Sequence, residues 1–148
     1  MAITQYSTDG DLVKIRPNIL ELGVATWEEQ EVEAFSIINR TIEARWYRQV
    51  AIEHDVEWRE TVYDPDLIDS DQVLRLSCYK TLELAYLHLM KDTPEPDGFE
   101  RQMKLFQKLY GQELESLFAS GISYDWDQSD TIEYDETLYP RQRRLRRM

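Results

Sequence analysis

Apolar residues recur every three or four positions over three long stretches of this chain. In the first, Val32, Phe35, Ile38, Ile42, Trp46 and Val50 fall on one face of a helix running from about Glu28 to Ile52. Thr26 stands ahead of Glu28, Glu29 and Gln30, which supplies an N-cap and the acidic first turn of a capping box. In the second, Asp69 or Ser70 caps a helix from Asp71 to Lys91 that carries Val73, Leu74, Leu76, Cys78, Leu82, Leu84, Ala85, Leu87, Leu89 and Met90. A surface helix needs a single apolar stripe, and this one is apolar on more than one side, so it is predicted to be central or to pack against a second subunit. The third follows the turn Thr93–Gly98: Phe99, Met103, Phe106, Tyr110, Leu114 and Leu117 repeat cleanly up to Ser120-Gly121, where glycine suits a left-handed cap.

The flanks read differently. Thr8 to Asp11 offers cap residues for a short helix over Asp11 to Leu22, which Pro17 breaks and Gly23 ends. Between Glu53 and Leu67 the run Val56, Trp58, Thr61, Val62, Tyr63 predicts a strand or extended loop. Alternation at Ile122, Tyr124 and Trp126, and again at Ile132 and Tyr134, around Gln128-Ser129-Asp130, predicts a small β-hairpin. The expected fold is therefore mainly all-α: three long helices in a bundle, a short N-terminal helix, a hairpin and an extended basic tail. Residues 1–121 form the bundle and residues 122–148 the hairpin and arm of the same unit.

Charge changes the picture. The last eleven residues, Leu138 to Met148, hold five of the seventeen basic residues and none of the twenty-nine acidic ones, so a body of charge −17 carries a tail of +5. Such asymmetry points to a partner. Pro140 keeps a helix from running into the tail, which, extended, reaches about 35 Å. A solvated terminus is the competing expectation. The 148 residues suffice for one self-stabilised domain. Neither a basic-then-apolar leader nor eighteen consecutive apolar residues occurs, so the chain reads as unsecreted and not membrane-spanning.

Motifs for chemistry are sparse, and neither a metal nor a cofactor is expected. Cys78 is single and sits in an apolar-periodic helix, which favours a structural thiol. His54 and His88 lack metal-ligand spacing. Asp125, Asp127, Ser129, Thr131, Glu133 and Glu136 match the ligating positions of a calcium loop, yet Asp130 stands where the loop needs glycine and Pro140 interrupts the following helix. No serine elbow, zincin motif or phosphate loop is found, and acidic pairs such as Glu28/Glu29 and Asp69/Asp71 are expected by chance among so many carboxylates; an enzyme is not expected. An acidic body opposes direct DNA binding, but a channel lined with carboxylates lets a duplex slide without sticking.

Taken together, the short helix near Asp11-Leu12, the three long helices, the segment Gly121-Ile122-Ser123-Tyr124-Asp125-Trp126-Asp127 and the terminal Arg143-Arg144-Leu145-Arg146-Arg147 resemble the head-to-tail adaptor, or connector, proteins of tailed bacteriophages. The resemblance is architectural, carries no signature motif and spans nearly the whole chain. It implies a structural component of the virion neck, assembled in the host cytoplasm: a homo-oligomeric ring, usually twelve-fold, beneath the portal protein, conducting double-stranded DNA and offering a platform to the tail or stopper protein. It further implies that the C-terminal arm, Arg141, Arg143, Arg144, Leu145, Arg146, Arg147 and Met148, docks on the portal. Leu84, Leu87, Tyr124 and Trp126 are the candidate subunit contacts. The competing reading is a small regulatory module whose arginine tail binds nucleic acid or an acidic protein.

Overall fold

The computed structural model describes residues 3–91, Pro94, residues 97–129 and the backbone of Thr137–Leu138. The protein is mainly helical. In chain order it has α1 (Asp9–Ile15), a 3₁₀ turn (Ile19–Glu21), α2 (Glu28–Ile42), a π-helical turn (Glu43–Tyr47), α3 (Arg48–Glu53), a second 3₁₀ turn (Pro65–Leu67), α4 (Ser70–Lys91), α5 (Asp97–Ser120), and two short strands, β1 (Ile122–Ser123) and β2 (Thr137–Leu138).

The helix ends follow local chemistry. Asp11 reaches back to the Thr8 N–H (2.9 Å), fixing the start of α1, and the chain breaks at Pro17 as expected. At the start of α2 the N-cap is Trp27, one residue past the expected Thr26, whose hydroxyl accepts the Glu28 N–H (3.3 Å); Asp9 of α1 accepts the Thr26 hydroxyl (2.6 Å) and the Trp27 N–H (2.9 Å). That bond satisfies an orphan donor of α2 and ties α1 to it. Asp69 accepts the Asp71 N–H ahead of α4 (3.1 Å), and Gly121 closes α5 with φ +89°, the left-handed geometry glycine adopts without strain.

α2, the π turn and α3 run on as one helical stretch from Glu28 to Glu53. Its buried residues Ala34, Ile38, Ile42, Trp46 and Val50 are spaced by four throughout. In a regular α-helix that spacing drifts by about 40° per step, because four residues overshoot one 3.6-residue turn. The π turn, where the Arg48 N–H donates to the Glu43 carbonyl five residues back, takes up the drift. It also turns the adjacent Trp46 and Tyr47 inward together.

α4 packs against α2 on one side and α5 on the other, and its buried residues Val73, Leu76, Cys78, Leu82, Ala85 and Leu89 lie on several faces. Two apolar clusters result. One joins the α2–α3 stretch to Tyr63, Ile68, Leu76, Leu114, Leu117, Ile122 and Tyr124. The other joins Leu12, Ile19 and Trp27 to Cys78, Leu82, Ala85, Tyr86 and Phe106.

Two expectations are corrected. Val32 is 42% exposed, and Glu31 takes its place on the buried face. β1 pairs antiparallel with Thr137–Leu138, so its partner lies beyond the expected Ile132 and Tyr134. Residues 56–63 take the extended-loop alternative, with Val56, Trp58 and Tyr63 packed on the first cluster and Val62 exposed. The residues after α5 join the core because they are gripped from a second side: Asp69 N–H donates to the Ser123 carbonyl (3.0 Å) and Asp125 N–H to that of Leu67 (2.9 Å).

Candidate interaction face

α4 carries the sequence's candidate contact residues and presents them unequally. Leu87 is 38% exposed and Leu84 half-buried; both lie outside the two apolar clusters. Exposed Val32 and His88 line one groove of about 670 Å³ with Val24, Glu28 and Glu29, where α2 begins and α4 ends. His88 meets Trp27 edge-on at 5.9 Å. Glu28 and Glu29 make this groove acidic, and its apolar part is formed by Val24, Trp27 and Val32.

Tyr124 and Trp126 sit elsewhere and are occupied by their own chain. Tyr124 is 3% exposed, accepts the Asp64 N–H at 3.0 Å, and packs on Trp46, Tyr47 and Tyr63. Little of it is left for a neighbour, because the segment around Ser123 is hydrogen-bonded into the fold. Trp126 is half-buried and stacks on Tyr47 (5.6 Å, 8°) and His54 (4.9 Å). His54 is thus a packing partner of this aromatic cluster.

The calcium-like loop turns on itself: Asp125 and Asp127 both accept the Ser129 N–H at 3.1 Å, and Gln128 takes φ 56°. Thr131, Glu133 and Glu136, the remaining candidate ligands, lie outside the described residues, as do Arg141, Arg143, Arg144, Leu145, Arg146, Arg147 and Met148 of the arm. Among the described residues no group of three or more His, Cys, Asp or Glu side chains is placed to hold a metal, and no helix is long and apolar enough to cross a membrane. Cys78 is buried, and its thiol is pushed up to about 12, chiefly by desolvation and then by Asp11 and Glu31. That makes it a poor nucleophile.

A polar seam missed in the sequence runs beneath the N-terminal segment. Tyr6 and Tyr63 both donate to the Asn39 side-chain oxygen (2.5 and 2.8 Å), and Asn39 donates to the Phe35 carbonyl (2.9 Å). Ser7 and Ser77 hydroxyls meet at 2.8 Å, and Gln5 donates to Glu31 Oε2 at 3.0 Å. Glu31 lies three, seven and eleven residues ahead of Ala34, Ile38 and Ile42, so its place on the stripe is legible in the spacing. Counting only apolar residues passes over it.

No family model, curated protein or solved structure matches this chain.

Proposed function

We propose that this protein is a structural head-to-tail adaptor of a tailed bacteriophage, assembling as a ring that joins the capsid portal to the tail or stopper protein. The observation that carries the reading is the central helix α4, which holds Leu84 and Leu87 outside both apolar clusters of its own chain. A helix that has filled its own core and still offers leucine is suited to a second copy. The strongly acidic body accords with a ring lumen that repels a passing duplex, and the arginine tail with an arm that reaches a portal protein. The ring is expected to be dodecameric, in the virion neck, with no catalytic role.

Size-exclusion chromatography with negative-stain imaging of the full chain tests it, with portal protein added in a second arm. Rings are expected in at least one arm, and Leu87→Asp is expected to abolish them while leaving the helical circular-dichroism signal intact. A monomer in both arms overturns the reading. Binding to any DNA sequence that collapses steeply with salt favours the regulatory module instead.

A further inference from the structure

Glu31 is a carboxyl group at 1% exposure in the seam between α1, α2 and α4. Its Oε2 accepts from Gln5, while its Oε1 is buried with no donor among the described residues. A charged carboxylate so placed is costly, since burial without a donor withholds the solvation an anion needs. Its hydrogen-bonding neighbour is another acid, Asp9, whose own oxygens already accept from Thr26 and Trp27. Two acceptors in contact require a proton between them.

The groups acting on Glu31 all point the same way. From α1 come Asp9 and Asp11, and from its own helix Glu28, all acidic. Across the seam α4 contributes the neutral Cys78, with the hydroxyl of Ser77 bonded to Ser7. Lys14 of α1 is directed to solvent and to Asp11. Desolvation first, then these carboxylates, push Glu31 up to about 8. Asp9 moves down: burial raises it, but hydrogen bonds from Thr26, Trp27 and Glu31 outweigh that. One acid is therefore kept neutral as donor and the other charged as acceptor.

We propose that Glu31 and Asp9 share one proton, and that this carboxyl–carboxylate bond is a pH-sensitive latch holding the N-terminal segment, from Gln5 through α1, on the helical core. When hydroxide takes that proton and becomes water, above neutral pH, two like charges face each other in a buried site and the segment lifts. The side chains beneath it, Phe35 and Asn39 of α2 and Ser77 of α4, are then uncovered.

Carboxyl ¹³C NMR of the wild-type chain, labelled at Glu and Asp, reads the proton directly, and amide-exchange protection factors at Asp11 and Leu12 read the latch. Glu31 is expected to titrate near 8, and protection to fall about tenfold by pH 9, since each unit above the midpoint removes about a factor of ten from the protonated population. Glu31→Gln, whose amide donates to Asp9 at every pH, is expected to keep protection unchanged from pH 7 to 9. Titration of Glu31 in the ordinary carboxylate range overturns the proposal, and needs no variant. An equal loss of protection in Glu31→Gln overturns it too.

Discussion

Asn39→Ala tests whether the polar seam stabilises the fold. The wild-type side chain accepts from two buried phenols, Tyr6 and Tyr63, and donates to Phe35 O. Removing it strands both hydroxyls, each at a cost of about 1–3 kcal/mol when buried without a partner. The two phenols also lie within hydrogen-bonding reach of each other, so one can donate to the other and a single donor stays stranded. Alanine returns about 0.5 kcal/mol through its better helix propensity. The net loss is then about 1.5 kcal/mol, within about 0.5–2.5. For a chain of this size that lowers the thermal midpoint by roughly 3–6 °C. Tyr63→Phe removes one donor and leaves Asn39 accepting from Tyr6, so it is expected to cost only about 1 kcal/mol. Urea melts followed by circular dichroism measure all three proteins. If Asn39→Ala lies within about 0.5 kcal/mol of wild type, or below Tyr63→Phe, the seam is not a stabilising network and the reasoning fails.

Three further outcomes are expected. Replacing Arg143, Arg144, Arg146 and Arg147 by alanine abolishes portal binding in a pull-down with an unchanged melting curve, and Leu145→Asp weakens it at any salt concentration. Cys78 resists a thiol reagent in the folded protein and reacts on unfolding, because it is buried and its thiolate is disfavoured. Glu31 binds its proton more tightly folded than unfolded, so its contribution is fully present below about pH 4.5, the ordinary value, and is lost as pH rises to about 8. The stability of wild type relative to Glu31→Gln is therefore expected to fall by about 2–3 kcal/mol between pH 6 and 8, read by urea melts at each pH.

The helices were legible in the sequence where one local rule decided them. α4 and α5 begin and end within two residues of the positions that Asp69, Lys91, Gly98 and Gly121 mark. The surface leucines of α4 were legible as an excess of apolar positions, though not which of them the core would claim. What escaped depends on elements far apart in the chain. Tyr124 reads as a hairpin residue until Leu67 and Asp69 bond its neighbours and draw it into the core. Glu31, Asn39 and Ser77 gain buried partners only when Gln5, Tyr6 and Ser7, far from them in the chain, are laid over them.

The five-residue turn Glu43–Tyr47 holds one residue more than a regular helical turn. Deleting any one residue within it would restore a regular α-helix and leave the segments on either side close to their present faces, with Val50 and Ala51 still turned to the core. Deleting a residue in the regular helix ahead of the turn would instead rotate everything beyond by about 100°, one residue's share of a turn. The stretch therefore tolerates the loss of one residue at this turn better than on either side of it. A relative that had lost the turn would align with this chain only across a one-residue gap, flanked by two helices that each look uninterrupted.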